Sequence, residues 1–511
     1  MVPTKAILLF GFASASIASA TDYYLNAELG SDTANGLSET TAWRSLERLN
    51  EQALKAGDRI LLQAGQVFPG QFYSKNSGSE DKPIRMFGYG EGAKPRIEAR
   101  GKYQSALLLE NVSHWIIEGI EITNTGPEPQ AKRGGVLVRA DAGGVSRNII
   151  LRGLTVRDVN GSISKNKGGG TAIRWEVSNQ QKPTRIEGLL IEDCHILRCD
   201  RDAIKGWMDP WDDLSNLSTG IIIRGNLLED IGGDGIVPIG TEGALIEYNR
   251  LYGARQRIEG LDTKEVTHYA GPSVGIWPWS SKNTHVRFNE VWNYAGTFDG
   301  QGLDSDFNCS GTLFEYNLSA QNAGGFFLIC NWSKHQDSGQ SIGNSGTIIR
   351  HNVSFNDRIR GFVLNGPIDT VSLHGNVIYN TVEDVFQLIV DTPWESGRFA
   401  KSVTVTDNVF FTRGEAQIYQ GTWGGGGMGL WKAQKKINRQ KINFKGNAYT
   451  RVAGFDGAQH DEPGKMQLKA SETLGSLIGR FDTEPEVRAN FDRMHRFLEQ
   501  SRYWSSLQAA L

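Results

Sequence analysis

The segment Gly300-Gln301-Gly302-Leu303-Asp304-Ser305-Asp306-Phe307-Asn308 packs two carboxylates and several amide and hydroxyl groups into one predicted strand. Gly232-Gly233-Asp234-Gly235 offers a third carboxylate. Carboxylates in pairs suit glycoside cleavage. One protonates the leaving oxygen while the other faces the opposite side of the sugar. Crowding also pushes one of the two pKa values up, which a general acid requires. Asp234, Asp304 and Asp306 are therefore the catalytic candidates. Two plainer roles compete for them. Aspartate caps the amides of tight bends, and the same oxygens could hold calcium. Hydrolysis by carboxylates calls for neither a metal nor a cofactor.

Five tryptophans fall in the same region: Trp207, Trp211, Trp277, Trp279 and Trp332. Exposed indole rings make platforms for the apolar faces of sugars, whereas packed ones would serve only the core. Trp277 and Trp279 alternate along one strand and are assigned to substrate binding. Arg174, Asp202 and Lys205 join them as polar binding candidates. The polar insertion from Arg255 to Pro272 adds His268 and Glu265, either of which could act as acid or base. Long loops on one side of a repeat structure often form its binding face. A solvated loop without function is the bland reading.

These residues sit in a repeat. Alternating apolar residues followed by asparagine recur at Asn226, Asn249, Asn289, Asn317, Asn352, Asn376, Asn408 and Asn447. Gly119, Gly153 and Cys194 stand near that position in earlier copies. The unequal spacing fits one coil of a solenoid per copy, with loops of different length inserted. Each coil would bury its inner face only by stacking, and the asparagines would form an amide ladder. A β-sandwich would instead turn every ~8–12 residues. A second landmark aligns Thr171, Asp202, Asp234 and Gln301 in one column, and Arg174, Lys205, Val237, Trp277 and Asp304 in another. Both columns are expected to face solvent. Adjacent coils lie ~5 Å apart, so Asp202 and Asp234 would be neighbours and Asp304 would lie ~10 Å beyond Asp234 along the stack. Both retaining (~5–5.5 Å) and inverting (~6.5–9.5 Å) carboxyl separations are within reach.

Composition agrees with a long, turn-rich β structure. The chain has 511 residues, 61 of them glycine and only 15 proline. Apolar residues make up 39%, so it is not a disordered composition. A net charge of -3 argues against a nucleic-acid binder. No apolar run after the first twenty residues is long enough to span a membrane. Met1–Ala20 carries Lys5, an apolar stretch and the small-x-small ending Ala18-Ser19-Ala20, the pattern of a secretory signal. A secreted or periplasmic protein is expected, with a polysaccharide or oligosaccharide as its partner and the chain acting as a monomer. Its four cysteines fall as Cys194/Cys199 and Cys309/Cys330, as local disulfides or buried thiols.

The opening Asp22-Tyr23-Tyr24-Leu25-Asn26, Gly30-Ser31-Asp32, Asn35-Gly36-Leu37 and Thr41-Ala42-Trp43 resembles that of secreted right-handed parallel β-helix proteins of pectin-lyase-like shape. A helix over Leu46–Ala53 and the following Ala56-Gly57-Asp58-Arg59-Ile60-Leu61-Leu62 fit the cap and first strand of that group. The resemblance implies an all-β, single-stranded parallel β-helix that acts on polysaccharide. Residues 1–20 are the leader, 21–455 the capped solenoid, and 456–511 a helical segment covering an end or side. The leading function is a glycoside hydrolase. The alternatives are a lyase that uses Lys205 and Arg174 against a uronate, and a non-catalytic carbohydrate-binding solenoid.

Overall fold

The computed structural model describes residues 20–165, 168–254, 272–296, 299–393, 397–422, 432–435, 442–450, 468–469, 471–481 and 483–511. The leader, His268 with the insertion around it, and the 455/456 boundary lie outside the described residues.

The expected all-β parallel β-helix is the observed one. A typical coil has three strands, Thr171–Ser178, Thr184–Glu192 and His195–Cys199. The next coil repeats them as Asp202–Asp209, Ser218–Arg224 and Leu227–Ile231. Each strand pairs in parallel with its counterpart, so Thr171 meets Asp202, Leu189 meets Ile221 and Ile196 meets Leu228. Stacking turns single apolar positions into columns. Ile173, Ile204, Ile236, Ile276, Leu303, Phe327 and Phe362 are all buried in one continuous core. At the N-terminal end, helix Leu46–Asn50 is capped by Ser45 and buries Leu46 and Leu49 beside Trp43.

The asparagine ladder forms as the repeat requires. From Asn226 to Asn447, each Nδ2 donates to the Oδ1 of the next asparagine at 2.9–3.0 Å. The same Oδ1 accepts the backbone N–H of the preceding asparagine. Such a network stabilises a buried corner because no member is left unpaired. The residue before the asparagine has a left-handed backbone. Gly225, Gly375 and Gly446 take it at little cost, but Tyr248, Phe288, Tyr316 and His351 take it too. Left-handed geometry costs such residues roughly 1–2 kcal/mol each. What offsets it is visible: the four rings stack in a column at 5.1–5.5 Å between centroids.

That column is where the C-terminal segment docks. Helix Pro485–Leu498 buries Val487, Phe491, Met494 and Leu498. Phe491 packs edge-on against Tyr316, and Phe497 against Tyr248. The helix thus covers a side of the solenoid rather than its end. All four cysteines are buried free thiols. No helix among the described residues is long and apolar enough to cross a membrane.

His351 gives this docking a pH dependence. Burial, with help from His374 and Arg350, holds its pKa down at about 4 from an ordinary 6.5. Its Nδ1 has no hydrogen-bond partner. The unfolded chain takes up the proton near 6.5 and the folded one only near 4. Stability is therefore complete above that window and falls as the pH drops through it, by up to roughly 3 kcal/mol. Denaturant unfolding at pH 7 and at pH 4.5 checks this: His351→Phe should lose less stability over the interval than the parent. Equal losses would remove His351 from the account.

Candidate active site

The sheet that contains Thr171–Ser178 and Asp202–Asp209 changes character midway along the stack. Strand Ile236–Val237 ends at Pro238, and the next coil contains Trp277-Pro278-Trp279. Proline has no N–H for the ladder. The coil is held there by isolated bridges, Ile236 to Ile276, Ile239 to Trp279 and Ile276 to Leu303. Register is kept nonetheless. Lys205 neighbours Val237, and strand Gln301–Ser305 resumes the sheet with Asp304 beside Leu328. The Asp306 N–H donates to Pro278 O at 3.2 Å.

A cleft of about 780 Å³ opens over this interruption. Its floor carries Asp299, Asp304 and Asp306. Its walls are Trp207, Trp277, Trp279, Phe307 and Trp332, with Lys165 and Lys205 on one side. The rings support one another: Trp279 packs against Trp207 at 5.9 Å, and Phe307 against Trp332 at 5.8 Å. Asp304 is 3% exposed, and its Oδ1 accepts no hydrogen bond. Burial raises its pKa well above the usual carboxylate range, and the charges of Asp306 and Asp299 push the same way. Burial also pushes Asp306 up to about 7, although the Phe307 N–H and Lys165 oppose it. Crowded carboxylates in an apolar cleft thus retain a proton near neutrality.

Beneath the cleft lies a second group of charges. Arg201 is fully buried and places Nη2 3.3 Å from Asp234 Oδ2. Lys165 Nζ and Lys205 Nζ stand 3.7 and 3.8 Å from the same oxygen. Lys205 also bonds Asp202 at 3.0 Å. Asp234 Oδ1 accepts from Val274 N and from Trp277 Nε1. Burial alone would raise the Asp234 pKa, but the three cations outweigh it and hold the group well below the ordinary range. Lys205 is lowered by its burial, which its two aspartates only partly offset.

The sequence-predicted residues therefore divide. Asp304 and Asp306 lie in the cleft with Lys205, Trp277 and Trp279. Asp202 and Asp234 do not line it. Their column, with Thr171 and Gln301, was expected to face solvent and is buried instead. The reason is that these residues stand at, or in the case of Asp234 just before, the start of their strands, where the chain turns from one sheet to the next. Asp234 cannot deliver a proton to a substrate from there; it anchors cations. Trp277 is 4% exposed, with its indole N–H spent on Asp234, so it forms a wall rather than an open platform. Trp279 keeps a partly open face. Arg174 adjoins Lys205 as aligned, yet pairs with Glu176 at 2.8 Å and takes no part in the cleft.

Three participants were missed. Asp299 precedes the Gly300-Gln301-Gly302 run by one residue, so the spacing was there to see. Lys165 and Arg201 belong to no periodic column, and only the fold brings them to Asp234. As for calcium, one donor atom each from Asp304, Asp306 and Cys330 lies within 4.8 Å of the others. Calcium takes 6–8 oxygens, and this set, with a thiol in it, does not fit that ion.

No family model matches the chain. It is 27% identical to the lacto-N-biosidase of Bifidobacterium longum subsp. longum, over 71% of this chain and 27% of that one. The chain thus spans about a quarter of the length of that curated relative. Two crystal structures of a GH136 lacto-N-biosidase from Eubacterium ramulus superpose with TM-scores of 0.64 and 0.62 at 25% identity, covering 76% of this chain and 67% of those chains.

Proposed function

We propose that the chain is a glycoside hydrolase acting on an oligosaccharide, with Asp299 and Asp306 as the carboxylates that face the scissile bond. The observation that carries this reading is the cleft itself. It brings together three carboxylates, one pushed up to about 7, and partly open tryptophans. The chain's likeness to lacto-N-biosidases supports the same reaction class. A catalytic carboxyl must touch the sugar. Asp299 and Asp306 each keep exposed surface, whereas Asp304 is enclosed. Asp304 then stands behind them as a proton-holding neighbour, since burial and the charges of Asp306 and Asp299 keep its carboxyl protonated. Between them the two front carboxyls protonate the leaving oxygen and oppose the positive charge at the anomeric carbon. Trp279, Trp207 and Trp332 hold sugar rings. Action outside the cytoplasm is the reading that Met1–Ala20 motivates.

The test is a product assay on a panel of neutral and acidic oligosaccharides. Hydrolysis gives new reducing ends without unsaturation. Unsaturated uronate products would sink the proposal in favour of β-elimination with Lys205 as base. A panel that yields no product, while sugars bind the cleft, would leave a binding solenoid.

A further inference from the structure

Cys330 has no part in the chemistry above, yet it stands on the cleft wall. Ser305 pairs with Ile329, which sets Asp306 beside Cys330 on the next coil. One donor atom from each of Asp304, Asp306 and Cys330 lies within 4.8 Å of the other two. Two side chains around this cluster have unused acceptors. Asp304, 97% buried, leaves Oδ1 without a partner. Asn365, similarly enclosed, directs Nδ2 at Cys330 Sγ (3.8 Å) and leaves its own Oδ1 unpartnered. Native interiors seldom leave acceptors in this state, and each such group asks for an explanation.

We propose that Asp304, Asp306 and Cys330 form a binding site for a thiophilic divalent cation of the zinc class, and that its occupation blocks the cleft. The donor set selects the ion. Magnesium and calcium take oxygen ligands, while zinc accepts thiolate at ~2.3 Å and carboxylate at ~2.0–2.2 Å. Donors around a tetrahedral ion lie ~3.5 Å apart, so the cluster closes by roughly 1 Å of side-chain rotation. The fourth position opens to the cleft, where water completes the shell. The ion takes up the lone Asp304 oxygen. It displaces to solvent the thiol proton of Cys330 and the proton that the aspartates hold, and no group is oxidised or reduced. Asn365 Nδ2 remains as a donor to the thiolate, the kind of outer contact that fixes a metal ligand. With Asp306 bound to a cation, the carboxyl that faces the sugar is no longer available. That consequence rests on the hydrolase reading; the binding site itself does not.

Cobalt(II) alone, titrated into the full chain, is the probe, because a cobalt–thiolate bond has its own charge-transfer absorbance. A saturable band is expected that zinc abolishes by displacement. Cys330→Ser should eliminate it and Cys309→Ser should keep it. Asp304→Asn, the second variant, should weaken cobalt binding at least about tenfold. Absence of the band, or its persistence in Cys330→Ser, overturns the site. So does unchanged affinity in Asp304→Asn. Zinc should also inhibit hydrolysis, at least about tenfold less effectively in Cys330→Ser. A band with undiminished hydrolysis would keep the site and overturn the block. A band in a chain that hydrolyses nothing would instead count against the hydrolase reading.

Discussion

Asp306→Asn and Asp299→Asn are each expected to lower kcat on an unactivated glycoside by about 10²–10⁴-fold, the range that a positioned acid or base contributes. KM should change little, because neither substitution alters the tryptophan walls. A glycoside with a strongly acidic leaving group separates the two. Such a group departs without protonation, so the variant that lacks the proton donor recovers most of its rate. The variant that lacks the opposing carboxylate does not. Recovery in one variant and not the other is the expected result; a rate near that of the parent in both would remove these carboxyls from the reaction. The pH profile supplies a second readout. Burial and neighbouring charge push Asp306 up to about 7, so one limb of the profile should lie near neutrality rather than near 4. Lys165 holds that value down. Lys165→Gln should therefore move the limb to higher pH.

Asp304 belongs with this pair in a different way. In the sequence it is equivalent to Asp306, since both stand in one polar strand. The register explains why they differ. Asp304 lies against Leu328 on the next coil and is enclosed, while Asp306 lies nearer the open end of the strand. Period-two alternation could not separate them, because both positions point to the same side. Asp304→Asn should accordingly cost less than Asp306→Asn, and should leave the limb near neutrality in place, because burial and the charges of Asp306 and Asp299 already hold Asp304 in its neutral form.

The repeat was legible because it is written in a residue type that does one thing. An asparagine at every corner has a single physical use, and the ladder from Asn226 to Asn447 follows it. The inward column of Ile173 to Phe362 was equally plain, since stacking repeats one position. The site was legible only in part, because it lies where the repeat is interrupted. Pro238 and Pro278 break the sheet that contains Thr171–Ser178 and Asp202–Asp209, and no periodic rule says what fills the gap. Lys165 comes from a segment outside any strand, and Arg201 from the bend that precedes Asp202. The aromatic corners carried a signal of another kind. Tyr248, Phe288, Tyr316 and His351 occupy left-handed positions that glycine fills elsewhere. An unfavourable residue repeated in four successive coils marks a surface that something covers, here the C-terminal helix.

Asp234→Ala is expected to destabilise the fold by about 3–5 kcal/mol, the cost of stranding a buried charge. Arg201 is the charge left under-compensated, keeping among the described residues only Asp202 Oδ1 at 3.7 Å and the Pro272 carbonyl at 3.1 Å. It has no exposed surface, and its Nε and Nη1 already lack hydrogen-bond partners. Asp234→Asn separates charge from geometry. Its amide oxygen can still accept from Val274 N and Trp277 Nε1, so it should fall between the parent and alanine. Arg201→Met in the Asp234→Ala background should recover part of the loss, because replacing a whole buried pair with apolar groups costs far less than breaking it. Chemical denaturation of the parent, Asp234→Ala, Arg201→Met and the double variant measures the coupling. Additive losses in the double variant would mean that the two groups do not act as a pair. The same network decides how the cleft is held, since Asp234 fixes the Trp277 indole and tethers Lys165. A residue that cannot reach the substrate should then lower activity through the wall it positions, with the loss appearing in KM as well as in kcat.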